Sequence, residues 1–132
     1  MSFLLDTHYI IWSLTDTKKI PEKIRSILVD PSQFILVSTV SFWEISLKSS
    51  LGKLELSVMT PQDVPDLCLN IGFDIIDLSP ADSSTYHLLK AKHHRDPFDR
   101  MLIWQAIRNN LTLISSDDIV KKYASEGLKI FY

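Results

Sequence analysis

Five short apolar runs set the limits on this fold: Phe3-Leu4-Leu5, Phe34 to Val37, Phe73 to Leu78, Leu111 to Ile114 and Leu128 to Phe131. A continuous apolar run that stops at a polar residue, as the first stops at Asp6, suits a strand buried on both faces. Helical patterns fill the intervals. They cover Thr7 to Leu14, Pro21 to Val29, a segment carrying Trp43, Ile45, Leu47 and Leu51 that stops at Gly52, and Pro61 to Ile71. Ser79-Pro80 then starts a helix carrying Tyr86, Leu88 and Leu89, Pro97 opens one running to about Asn109, and a last helix reaches Ser125 before Gly127. Short apolar strands alternating with helices imply an α/β fold with a parallel sheet of about five strands, covered on both sides.

The 132 residues, 45% of them hydrophobic, are enough for one sizeable core, and 1–132 reads as a single domain. Its 3 glycines and 6 prolines are too scattered to mark a linker. Met1-Ser2-Phe3-Leu4-Leu5 lacks a basic leader and meets Asp6 at once, so a secretory signal is not expected, and no apolar stretch has membrane-spanning length. Cys68 is the only cysteine, which excludes an intrachain disulfide and all-cysteine zinc sites and suits a reducing cytoplasm. A net charge of −2 rules out nucleic-acid binding by overall electrostatic attraction alone. Local patches remain, the denser one formed by Lys90, Lys92, His93, His94, Arg95 and Arg100.

That basic patch overlaps a charged turn, His94-Arg95-Asp96-Pro97-Phe98-Asp99-Arg100, that runs straight into the apolar Met101 to Ile107. Asp96 suits an N-cap and Pro97 the first helical position, which puts Asp99 in the first turn of a largely buried helix. In an open parallel sheet the strand-to-helix turns gather at the carboxyl edge, where ligands bind. Asp6 ends the first strand, Glu44 follows the second, Asp99 opens the focal helix and Asp117 follows the fourth strand. Each acid also has a structural reading. Ser41-x-x-Glu44 matches a capping box, Asp99 and Asp117 can complement helix dipoles, and Asp6 can serve the first turn. Jointly they say more: carboxylates gathered in one cleft cannot all ionise without a compensating cation. Oxygen ligands without cysteine suit Mg²⁺ or Mn²⁺, and the chemistry best served is phosphate transfer by metal-activated water.

The motif order Leu5-Asp6-Thr7-His8 with Trp12, Ser41-Phe42-Trp43-Glu44-Ile45 with Lys48, Gly52-Lys53-Leu54, His93 to Arg100, and Ser116-Asp117 resembles the PIN-domain ribonucleases, specifically VapC-type toxins of bacterial toxin–antitoxin pairs. The resemblance implies a three-layer α/β/α sandwich and a Mg²⁺- or Mn²⁺-dependent endoribonuclease. Position by position it implies Asp6, Glu44 and Asp99 as the central catalytic and metal-binding acids, with Asp117 as the fourth. Thr7 and Ser116 fall where the family places small hydroxyl residues, Asp96 matches a subgroup feature that reads first as an N-cap, and Asp118 leaves the fourth ligand open. The implied partners are an RNA substrate, a VapB-type antitoxin lying over the acidic cleft, and a second copy in a homodimer.

Supporting assignments are Lys48 and Arg100 for the RNA backbone, each weighed against an ion pair with a nearby acid. His8, His93 and His94 lack the spacing of a helical zinc site and read as loop or substrate-side residues. Trp12, Trp43 and Trp104 read as core. Rival readings are a phosphotransferase of the haloacid dehalogenase type, which needs an acid where His8 stands, and a receiver domain, which needs an early acidic pair. The third is a non-catalytic binding module whose acids are only caps.

Overall fold

The computed structural model describes all 132 residues. Its sheet has five strands, β1 (Ser2–Leu5), β2 (Phe34–Ser38), β3 (Asp74–Ile76), β4 (Thr112–Ile114) and β5 (Lys129–Phe131), all parallel in the order β3-β2-β1-β4-β5. The helices are α1 (Thr7–Thr15), α2 (Glu22–Leu28), α3 (Thr39–Ser50), α4 (Val64–Asn70), α5 (Pro80–Ser84), α6 (Pro97–Arg108) and α7 (Asp118–Lys121).

Side chains alternate across a strand, and here both sets are apolar. Phe3 and Leu5 of β1, with Ile35 and Val37 of β2, pack into one core with Tyr9 and Ile10 of α1, Ile24 of α2 and Cys68 of α4. Leu4 of β1 and Leu113 of β4 face the second core, built with Leu102, Ile103 and Ala106 of α6, Val120 of α7, Tyr123 and Leu128. Two cores on one sheet make the three-layer α/β/α sandwich. Each fully buried Leu or Ile contributes roughly 1.5–3 kcal/mol of burial free energy, so strand residues that look interchangeable secure both layers.

Helix α3 contacts α1 on one side and α6 on the other, with Val40 in the second core and Ile45 in the first. Its N-cap is Ser38, whose hydroxyl accepts from the Val40 amide at 3.0 Å. The helix therefore starts ahead of Ser41, and the capping-box reading of Ser41 and Glu44 falls away: Ser41 is already inside the helix and its hydroxyl accepts from Thr7.

Four expected elements are shorter than their patterns. The helix from Ser79 ends at Ser84, because the hydroxyls of Ser83, Ser84 and Thr85 bond back to carbonyls of the same turn, and Tyr86–Leu88 forms a separate 3₁₀ turn. The last helix passes into 3₁₀ geometry at Lys122–Glu126 and stops at Gly127, whose φ of 93° lies in the left-handed region. Pro61 opens a 3₁₀ turn, Pro61–Asp63, ahead of α4, and β3 keeps only Asp74–Ile76 of its longer apolar run.

Candidate active site

Strand order reverses between β1 and β4, since β1 connects onward to β2 and β3 while β4 and β5 lie on its other side. The carboxyl ends at such a reversal leave a crevice. Asp6 stands there directly after β1, its amide donating to the Ile114 carbonyl at 3.1 Å. It is the N-cap residue of α1, yet its side chain makes no capping bond. Instead Oδ2 accepts from the buried Ser115 hydroxyl at 2.7 Å, while Oδ1 is buried with no partner. Burial raises the Asp6 carboxyl above its ordinary range, with Ser115 and His8 opposing and Glu44 adding to the rise.

Glu44 repeats this arrangement from α3. It is buried, Oε2 pairs with Lys48 one turn on, and Oε1 has no partner. Burial alone would depress the Lys48 ammonium, but the bond and charge of Glu44, with the charges of Asp96 and Asp99, hold its pKa above the ordinary value.

Asp99 comes from the first turn of α6. Asp96 is the N-cap, its Oδ1 accepting from the Phe98 amide at 2.8 Å and the Asp99 amide at 3.4 Å. Burial, then the charges of Asp6, Asp96 and Glu44, push the Asp99 carboxyl up to about 7, against the opposing influence of His94. The imidazole Nε2 of His94 lies 3.1 Å from Asp99 Oδ2 and 2.9 Å from Asp117 Oδ2. Asp117 also caps α7 through Oδ1 on the Ile119 amide at 2.8 Å. Burial alone would raise the Asp117 carboxyl, but the His94 bond and the α7 amides hold it below its ordinary value.

Three elements thus bring Asp6, Glu44 and Asp99 into one electrostatic unit, with Asp117 joined to it through His94. Unpartnered buried carboxylate oxygens are costly, and here two of them belong to acids that also raise the pKa of a third. A divalent cation removes both penalties, so this all-oxygen donor set fits one.

The PIN domain family matches residues 3–126. The chain belongs to the PIN-domain family. PIN domains are nucleases, hydrolases that act on nucleic acid, and the acids just described occupy the crevice of this PIN domain. The fold is similar to that of VapBC2 from Rickettsia felis, solved bound to a DNA fragment from its promoter, at 19% identity and a TM-score of 0.72 over 99% of this chain and 98% of the other. It is also similar to DNA-bound VapBC from Salmonella typhimurium, at 16% identity and 0.68, and to VapBC-1 from nontypeable Haemophilus influenzae, at 17% identity and 0.67. Each of these covers 99% of this chain and 97% of its counterpart. No curated protein matches the sequence significantly.

Several residues of this PIN domain stand elsewhere than their motifs suggest. Arg100 was expected on the RNA backbone but is buried inside the protein, donating to Tyr86 Oη at 2.9 Å, Ala91 O at 2.6 Å, Tyr123 Oη at 2.8 Å and Leu89 O at 3.0 Å. It lies one position past Asp99 on α6 and so faces the core rather than the crevice. Ser116 is exposed, and the hydroxyl that reaches Asp6 is that of Ser115, the residue directly after β4. Thr7 is buried and donates to Ser41 at 2.8 Å, joining α1 to α3. Asp118 is exposed and paired with Lys121, which leaves the crevice to Asp117. Trp104 is core, but Trp43 is 65% exposed and stands edge-to-face with Phe98, at 4.9 Å between ring centres.

Sequence reasoning missed Ser115, and it placed His94 among loop or substrate-side residues without its contact to Asp117. The first had a signal, a hydroxyl two residues before an acid at a strand end. The second had none, since its partners come from separate parts of the chain.

Proposed function

We propose that this PIN domain is a metal-dependent endoribonuclease of the VapC toxin type, cleaving RNA phosphodiester bonds in the crevice of Asp6, Glu44, Asp99 and Asp117. The observation that carries this reading is the pair of buried, unpartnered oxygens, Asp6 Oδ1 and Glu44 Oε1, beside an Asp99 whose pKa their charges raise. Asp6, Glu44 and Asp99 would hold Mg²⁺ or Mn²⁺, with Asp117 as the fourth acid. Such an ion, when bound, supplies a water activated for attack and neutralises charge on the leaving oxygen.

The chain's own residues supply placement. Ser115 and Lys48 each hold one oxygen of a central carboxylate and leave the other free. A cavity of about 160 Å³ beside Glu44 is lined by Lys48, Lys53, His8 and Thr7. Its two ammonium groups offer a backbone phosphate a local positive contact that the net charge of −2 does not provide. Asp96 orients the start of α6 and, through it, Asp99.

The solved relatives are VapBC complexes, which supports a VapB-type antitoxin as the partner here; the antitoxin would lie over the crevice, and the chain would pair with a second copy as a homodimer. No helix is long and apolar enough to cross a membrane, and a cytoplasmic site of action agrees with this reading. The test is substitution of the acids. Asp6→Asn, Glu44→Gln and Asp99→Asn, each folded, should all lose RNA cleavage, and full activity in all three would remove this mechanism.

A further inference from the structure

His94 has a tautomer imposed by the backbone. Its Nδ1 accepts from the Asp96 amide at 3.2 Å, so the ring proton sits on Nε2, the atom directed at Asp117 Oδ2 and Asp99 Oδ2. The loop holding the ring is itself pinned. The His94 amide donates to the Tyr123 hydroxyl at 3.0 Å, and that hydroxyl also accepts from the buried Arg100. Arg100 further ties down Leu89 and Ala91 in the segment leading to His94.

Two carboxylates of the crevice then share one pattern: Ser115 holds Asp6 Oδ2 and Lys48 holds Glu44 Oε2, and the second oxygen of each is buried without a donor, while Asp99 Oδ2 lies 3.1 Å from His94 Nε2. Asp117 differs, because the Ile119 amide and His94 take both of its oxygens. A metal bound to Nε2 would need that nitrogen bare, with the proton moved to Nδ1. There it would confront the Asp96 amide, donor against donor.

We propose that His94 is a positioning residue and not a ligand: its backbone-fixed Nε2–H is donated to Asp117 Oδ2 and lies beside Asp99 Oδ2, so that the cation rests on Asp6, Glu44 and Asp99 while Asp117 acts on the site through His94. This rests on the metal-dependent reading above. It separates the cluster of His94, Asp99 and Asp117, whose ligand atoms lie within 4.8 Å of one another, from the place where the ion binds. It also gives buried Arg100 a function: through Tyr123 it holds the loop from which the brace is extended.

The test reads the proton directly. Long-range ¹H–¹⁵N spectra of the full chain at about pH 8, above the ordinary histidine range, assign the His94 tautomer without metal and with saturating Mg²⁺. We expect Nε2 protonated and Nδ1 bare in both spectra; a bare Nε2 in either overturns the proposal. Calorimetric titration with Mn²⁺ supplies the second readout. His94→Phe should weaken binding by about 10–100-fold, the usual cost of losing a group that orients a metal ligand, and His94→Gln should recover most of the loss because its amide reaches the Nε2 position. Wild-type or tighter affinity in a folded His94→Phe protein overturns the brace. Failure of the wild-type protein to bind either ion would instead refute the metal-dependent reading itself.

Discussion

Replacing Asp99 by Asn should stabilise the metal-free protein while destroying its activity. In the folded protein the Asp99 carboxyl is displaced from 3.8 to about 7. That displacement corresponds to about 4 kcal/mol at most between the neutral and charged forms. Asp99 keeps 21% of its side chain exposed, and screening by solvent reduces the figure to about 2 kcal/mol. For a chain of this length, this is a rise in melting temperature of roughly 6–10 °C. The sign follows from which state ionises first. Well below the unfolded value of 3.8, at about pH 3 and under, the carboxyl is neutral in both states and the two proteins should melt together. As pH rises toward 7 the unfolded chain ionises while the folded one holds its proton, so wild type loses stability and the gap opens, levelling above about pH 7. Calorimetric scans in EDTA at pH 4.5 and pH 8 measure it. Equal melting of the two proteins at pH 8, or a gap of the same size at both values, would refute the reasoning.

Arg100→Met should cost about 3 kcal/mol in urea unfolding, since it leaves the Leu89 and Ala91 carbonyls and two tyrosine hydroxyls without their donor. A loss below about 0.5 kcal/mol, the range of ordinary surface substitutions, would contradict the structural role assigned to it. Cys68 is fully buried and burial pushes its thiol up to about 11, so iodoacetamide at pH 8 should label it only after unfolding. Rapid labelling of the native protein would show that the core around α4 opens.

The fold was legible because its signals are local. Runs such as Phe3-Leu4-Leu5, apolar at every position, demand cover on both sheet faces, and Asp6 and Asp117 sit at strand ends that parallel topology gathers. Element lengths were less legible: hydroxyls at Ser83, Ser84 and Thr85 end a helix whose apolar pattern continues to Leu89. Within the site, residue types were legible and partners were not. Ser41-x-x-Glu44 has the spacing of a capping box, and only the start of α3 at Thr39 frees Glu44 from that role. Arg100 looks like a ligand-side cation because it adjoins Asp99, but a helix turns by about 100° per residue and sends it into the core. Trp43 has the apolar character of a core residue, but α3 turns it outward. His94 meets Asp117 across 23 positions of sequence, a distance over which no local pattern reports.

The most direct measurement is cleavage of a mixed cellular RNA pool by purified, antitoxin-free protein in Mg²⁺ or Mn²⁺, with EDTA and the Asp99→Asn protein as controls. We expect cutting that requires the metal and is absent in the variant. Cutting that persists in EDTA, or in the folded variant, would contradict an acidic, metal-dependent centre, and intact RNA from a metal-bound wild-type protein would contradict its assignment as a ribonuclease.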